Sequence, residues 1–404
     1  MGNNIPQGYK ATALGIIPQE WKTIRLKDCF SISAGGDVQK DCFSEAPSLQ
    51  YKYPIYSNSL FNHGLYGFTS HPRHKANSIT ITGRGALGHA EYREIDFDAI
   101  VRLLVLAPKI PLNGQYITEY INFRKPFFYE STGVPQLTAP QIANIQVLFP
   151  PLGEQRKIAE VLGVWDEAIE KQARLIEKLD LRKRGLMQRL LSAKLRLPGF
   201  SEPWKKVKLG DIGDTYNGLS GKNKDDFEYG NAQFIPYINV FSNERIDTNN
   251  LGCVQIEPNE QQNTVKYGDI FFTVSSETPD EVGMASVLLE HLDNTYLNSF
   301  CFGYRLNDFS TLNPFFAAYL FRTEHFRNYM SVLAQGSTRF NISKKEVMKL
   351  KIDLPTIEEQ TAIAEVLTAA DREIELAKEK LDRLRRQKRG LMQQLLTGKK
   401  RVKY

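Results

Sequence analysis

One nine-residue phrase is written twice in this chain. "KRGLMQRLL" spans Lys183–Leu191 and "KRGLMQQLL" spans Lys388–Leu396, and they differ at one position. The match extends far beyond them. From Pro150 to Lys194, 21 of 45 residues recur at a constant offset of 205. "PPLGEQRKIAEVLGVWDEAIE" (Pro150–Glu170) lies without a gap over "PTIEEQTAIAEVLTAADREIE" (Pro355–Glu375). A third echo opens each half, "WKTIRLKD" at Trp21 and "WKKVKLGD" at Trp204. An internal repeat fixes the plan of a chain before any local reading does. Here it gives a variable domain over 1–149, a helical segment over 150–197, a second variable domain over 198–354 and a second helical segment over 355–404.

Both helical segments begin with proline and acidic residues: Pro150, Pro151 and Glu154, then Pro355, Glu358 and Glu359. Basic residues gather around Arg182–Arg184 and Arg385–Arg389, as the helix dipole prefers. Apolar residues alternate at four and three. One seam runs through Ile158, Leu162, Trp165, Ile169, Ile176, Leu179, Leu186 and Leu190; the other through Ile363, Leu367, Ala370, Ile374, Ala377, Leu381, Leu391 and Leu395. That is a coiled-coil pattern, and a lysine recurs in it at 183 and 388, where it can fix the register. The large Trp165 and the small Ala370 hold matching seam positions and are expected to face each other, which pairs the two helices with one another. Gly185 and Gly390 interrupt the pattern, at about 0.8–1 kcal/mol each relative to alanine. They mark either fraying ends or the close approach of another chain.

The direction of pairing follows from lengths. A helix of about 40 residues is about 60 Å long. A compact domain of about 150 residues is only about 40 Å across. Joined head to tail by such a domain, parallel helices would leave a gap it cannot span. Antiparallel helices need only that its two ends lie close together. The expected fold class is α+β: two globular domains separated by an antiparallel coiled coil, with a pseudo-two-fold repeat, in the outline of a dumbbell.

The variable domains read as short strands, turns and a late helix. The first has "YPIYSNSLFNHGLYGF", "NSITITGRGALGHAEY" and "AIVRLLVLAP", with a helix at "NGQYITEYINF"; the second has "QFIPYINVF", "VKYGDIFFTV" and "GMASVLLE", with a helix at "NPFFAAYLFRTEHFRNYM". "GRGALG" (Gly83–Gly88) fits a dinucleotide fingerprint in letters. Its next residues, "HAEYREIDFD", do not begin a helix, so it reads as a turn between strands. "NPFF" at Asn313 lacks the second proline of the methyltransferase loop it resembles and reads as a helix start. No nucleophile, metal or phosphate-loop constellation is present. The four cysteines are scattered, which argues against a disulfide framework. No stretch resembles a secretion signal or a membrane span, so the expected setting is the cytoplasm.

Charge is unevenly placed. Basic and acidic residues number 14 and 11 in 1–149, 11 and 7 in 150–200, 15 and 20 in 201–354, and 12 and 8 in 355–404. Polar loop residues able to read base edges are Asn58, Arg73, Lys75, Arg84 and Gln136 in the first domain, and Asn239, Asn243, Arg245, Arg339 and Asn341 in the second. Arg pairs with guanine, and Asn or Gln with adenine, through bidentate hydrogen bonds. Each is also an ordinary solvated loop residue.

The residues that carry a resemblance are "FPPLGEQRKIAEVL", "LPTIEEQTAIAEVL", the twin "KRGLMQ" phrases, "GDIFFTVSS" and a Y-I-x-x-Y element. Together they resemble the specificity subunit of type I restriction-modification systems, over essentially the whole chain. The resemblance implies two target recognition domains that read the halves of a bipartite, asymmetric sequence in double-stranded DNA. It implies that the helices form a spacer and dock two adenine methyltransferase subunits, and through them the restriction (translocase-nuclease) subunits that act against phage. The chain itself would be non-catalytic and hold no cofactor; S-adenosylmethionine, ATP and Mg would sit on the partners. Docking candidates are Gln155, Gly185, Leu186, Met187, Gln360, Gly390, Leu391 and Met392. A different reading is a coiled-coil adaptor whose two heads bind protein and never touch DNA.

Overall fold

The computed structural model describes residues 5–125, 135–227 and 229–403. Two long helices, the central Leu152–Leu190 and the C-terminal Ile357–Leu395, occupy the segments where the repeat places them. The chain divides into two compact units, Met1–Arg174 with Lys378–Tyr404, and Leu175–Ala377. The division falls within both helices, so each unit owns one head, a stretch of the central helix and a stretch of the C-terminal helix.

In unit 1 a four-stranded sheet runs in the order Phe30–Ala34, Leu104–Pro108, Ser78–Ile81, Ala90–Arg93. Unit 2 repeats it as Gly213–Asn217, Cys301–Leu306, Ile270–Thr273, Ala285–Val287. All neighbours in both sheets are antiparallel. A parallel pair recurs too: Tyr53–Tyr56 with Asp98–Ala99, and Ala232–Ile235 with Thr295–Leu297. The early "WK" echo becomes a strand that pairs with the strand leading into each long helix, Lys22–Arg25 with Gln146–Phe149 and Lys205–Lys208 with Lys351–Leu354.

Within each unit the two helix stretches run antiparallel, and their apolar seam is continuous with the core of the head. In unit 1, Ile158 and Leu162 share a core with Met392, Leu395 and Leu396 and with Trp21, Tyr116 and Tyr120. In unit 2, Leu190 and Leu191 share one with Ile363, Leu367, Phe272 and Phe316. Leu179, Ile374 and Ala377 form a further small cluster. The register corrects one expectation. Asp166 meets Lys388, and Asp371 meets Lys183. Trp165 and Ala370 therefore lie level with the two KRG phrases, not with each other, because antiparallel pairing sets each repeat element opposite the far end of its counterpart.

Local readings shift where turn chemistry intervenes. "QFIPYINVF" gives a strand only to Ile235; after Pro236 the chain forms the helix Tyr237–Ser242. The expected helix after Asn313 breaks in two, Pro314–Leu320 and Glu324–Leu333, because Thr323 caps a new start. Asn313 caps the first, as the NPFF reading expects. Gly83–Gly88 does turn between antiparallel strands. "AIVRLLVLAP" forms a strand only from Leu104, because Val101 and Arg102 both take left-handed backbone angles.

Candidate nucleic-acid interface and the frame that holds it

The Glu-Gln pair that opens each long helix is not a surface feature. Gln155 and Gln360 are fully buried. Gln155 Nε2 donates to Pro150 O at 2.8 Å, and its Oε1 accepts from Asn113 N at 2.9 Å. Gln360 does the same with Pro355 O at 3.0 Å and Asn313 N at 2.9 Å. Each glutamine ties the helix start to the cap of the head's own helix. As docking candidates both are corrected, because their amides are consumed inside the fold.

Glu154 and Glu359 are equally buried. Arg401 clasps Glu154 through two nitrogens at 2.6 and 2.9 Å, and Trp21 Nε1 donates to the same carboxylate at 2.9 Å. Arg196, 205 residues before Arg401, clasps Glu359 at 2.6 and 2.7 Å. Trp204, the counterpart of Trp21, leaves its Nε1 buried with no hydrogen-bond partner among the described residues. A buried carboxylate needs such a partner, since removing it leaves a bare charge in a low-dielectric interior. Sequence reasoning missed both arginines, although their common offset in the repeat could have found them.

The seam lysines are ionic hubs. Lys388 Nζ lies 2.6 Å from Asp166 and 2.9 Å from Glu119. Lys183 lies 2.6 Å from Asp371 and 2.9 Å from Glu244. Arg245 joins the second hub. It donates to Tyr319 Oη and, at 2.8 Å, to Thr368, and it lies 3.6 Å from Asp371. Burial pushes the Glu119 carboxyl up to about 7; Lys388 opposes that shift and Asp166 adds to it.

The proposed base readers sort by what they touch. Asn239 is buried, and its amide bonds Asp247, Asn250 and Asn243 around a loop. Asn243 spends its amide on Asn239, and Arg245 is bound to the C-terminal helix. These three hold the head together, which corrects their reading as base contacts. Asn58 bridges Gly83 N and Val101 O at 2.7 and 2.6 Å. Arg73 pairs with the buried Asp98 at 2.6 Å, and the exposed Lys75 with Asp96 at 2.9 Å. Arg339 stands over the Phe300 ring, 5.9 Å from its centroid, and Asn341 is exposed. Arg84 and Gln136 are exposed and make no side-chain bond to any described residue.

Around the twin phrases, a Cβ at Gly185 or Gly390 would meet nothing within 4 Å, and the helix continues past both. Neither glycine marks fraying. In unit 2 a groove of about 1080 Å³ opens over Gly185, lined by Arg184, Met187, Gln188, Trp204 and Tyr329. Leu186 and Met187 pack partly against the head 2 core and Leu391 against that of head 1, whereas Met392 is buried within the head 1 core, which corrects its reading as a docking residue.

A model of the type I restriction modification DNA specificity domain matches this chain twice, over residues 18–180 and 201–386. The chain belongs to that family. The type I restriction enzyme MjaVIII specificity subunit of Methanocaldococcus jannaschii is 24% identical, covering 96% of this chain and 94% of the relative. Among solved structures, the S subunit of a type I restriction-modification system from M. genitalium superposes with a TM-score of 0.60 at 16% identity, covering 98% and 97% of the two chains. A chain from structures on complex assembly and conformational transition of the type I R-M system gives 0.59 at 19% identity, covering 95% and 99%. The specificity subunit is thus a non-catalytic, DNA-recognising member of a restriction-modification system. Each family match takes in one head and most of one long helix. Among the described residues no helix is long and apolar enough to cross a membrane.

Proposed function

We propose that this specificity subunit reads a bipartite, asymmetric duplex sequence, one half per head, and docks two adenine methyltransferase subunits, through which the translocase-nuclease joins. S-adenosylmethionine, ATP and Mg belong to those partners. One observation carries the reading. The fastening of head to helix is duplicated residue for residue, as Glu154, Gln155, Lys388 and Arg401 against Glu359, Gln360, Lys183 and Arg196, while the exposed loops of the heads differ. A duplicated frame with diverged loops suits two like docking faces and two unlike half-sites. The open helix surface at Gly185 and Gly390, with the half-buried Leu186, Met187 and Leu391 beside it, supplies those faces.

The test is the map of methylated adenines in cells that express the chain with its methyltransferase. One motif of two unlike halves, separated by unread bases, is expected. An uninterrupted motif, or methylation that persists without this chain, would overturn the reading. Gly185→Arg and Gly390→Arg fill open surface without touching either core, so each should remove one methyltransferase in native mass spectrometry.

A further inference from the structure

We propose that three backbone positions, structurally matched in the two heads, form their base-reading face, and that Arg84 and Arg102 make head 1 specific for guanine. This rests on the DNA-reading function above.

The match is set by hydrogen bonds. Thr82 N donates to His89 O at 3.0 Å, and Thr273 N to Met284 O at 3.0 Å. Gly88 N donates to Thr82 O at 2.8 Å, and Gly283 N to Thr273 O at 3.1 Å. Each threonine Oγ1 accepts from the residue after that glycine at 2.9 Å. Leu137 N reaches Gly83 O at 2.9 Å, and Ile342 N reaches Val274 O at 3.0 Å. Arg84 thus corresponds to Ser275, and Gln136 to Asn341. Ile81 pairs with Leu104, and Thr273 with Cys301, so Arg102 corresponds to Phe300.

In head 1 these positions converge. A Cβ on Gly83 would lie 3.0 Å from Leu137 O and 3.1 Å from Arg102 O, so three chain segments meet there. Asn58 clamps two of them. Val101 and Arg102 sit at φ 53° and 58°. A left-handed β-branched residue is a genuine outlier, and such strain persists only when the surroundings over-determine it. Bonds from Val101 N to Gly36 O at 2.9 Å and Arg102 N to Gly35 O at 3.0 Å hold it. The result leaves Arg102 exposed, with its backbone against Gly83, the residue before the exposed Arg84. Neither guanidinium pairs with any described residue, whereas Arg73 and Arg93 nearby are engaged. Phe61 is exposed on the loop that Asn58 opens.

Head 2 carries different chemistry on the same plan. Ser275 is buried and accepts from Arg339 Nε at 3.2 Å, and Arg339 leans on Phe300. A guanidinium committed in this way is not free for a bidentate pair with guanine O6 and N7, which is the commonest specific arginine contact.

The test uses the full chain with its methyltransferase, the wild-type methylated motif and duplexes substituted at each base of it. Arg84→Ala and Arg102→Ala should keep the wild-type melting temperature. At least one should weaken the cognate duplex by about 5- to 150-fold and lose discrimination at one guanine of the head 1 half. The head 2 half should stay as it is. A head 1 half-site without guanine overturns the proposal. So does uniform weakening with a salt slope lower by about one, which marks a phosphate contact, or no effect in either variant. If the wild-type complex yields no bipartite motif, it is the function that fails, not this assignment.

Discussion

The two seam-lysine hubs differ by one charge. Lys388 alone faces Glu119 and Asp166, whereas Lys183 and Arg245 together face Glu244 and Asp371. Two further differences run along the same line. Trp21 finds the buried glutamate and Trp204 does not; Tyr319 takes the place on the head 2 helix that Glu119 holds in head 1. The contrast teaches that the frame fixes where charges must be and leaves open which segment supplies them. Lysine and aspartate come from the helices in both units. The second anion comes from the head's helix in unit 1 and from a loop in unit 2.

The sharpest way to break the comparison is at the buried glutamates. Glu154→Ala takes the carboxylate from Trp21 and from Arg401, which keeps Glu20; Glu359→Ala takes it from Arg196, which keeps Glu202 O, Trp204 having no bond to lose. The bonds lost are to a charged group, worth about 1.5–3 kcal/mol each, and no bare charge is left buried because both arginines keep part of their solvent. Hydrogen exchange should show unit 1 opening in the first variant and unit 2 in the second, with the larger loss in the first. Equal losses would show that the indole bond adds nothing. Gln155→Leu and Gln360→Leu come next. The first leaves two backbone groups without their partner and the second three, since Gln360 Nε2 also donates to Thr311 O at 2.9 Å, at about 1–3 kcal/mol per unsatisfied group. The larger drop in Tm is expected for Gln360→Leu, which loses the additional bond to Thr311 O.

The single-lysine hub should show in pH dependence. The folded carboxyl of Glu119, held near pH 7, takes up its proton more readily than in the unfolded chain. Its contribution to stability is therefore complete below about pH 4.5 and is lost as pH rises through 7. Unit 1 of the wild type should lose stability between about pH 4.5 and 7, and Glu119→Gln should flatten that slope. An unchanged slope would place the titration elsewhere. The smallest effect lies at the helix ends. Ala193 holds φ 58° where its counterpart Gly398 holds φ 72°, and the six-residue closures Leu195 N to Arg189 O and Lys400 N to Gln394 O match. Ala193→Gly should stabilise unit 2 by about 1 kcal/mol, read as a small rise in Tm.

The frame was legible because it is repeated. Heptad spacing, proline starts and the lysine within the seam all came from residues whose meaning survives without tertiary contacts. Antiparallel pairing followed from chain lengths alone. Residues such as Gln155 and Asn239 misled, since a polar side chain in sequence does not declare whether its partner is solvent or a buried backbone group. Arg102 was hidden inside an apolar run, where only a left-handed turn at Val101 brings it to the surface. Sequence could nominate Arg84, whose glycine neighbours mark a turn, but not the three-segment junction that gives it company.

Unit 2 is one uninterrupted stretch, residues 175–377, whereas unit 1 needs residues 378–404 to finish a head begun at the other end of the sequence. Met392, Leu395 and Leu396 belong to its core, and Arg401 neutralises Glu154. Synthesis is vectorial, so the first head to leave the ribosome is the last to be completed. Throughout the translation of unit 2 it waits with an uncovered apolar face and with Glu154 lacking its arginine. A stop codon after Ala377 would spare every residue of head 1 and still deprive it of its closure.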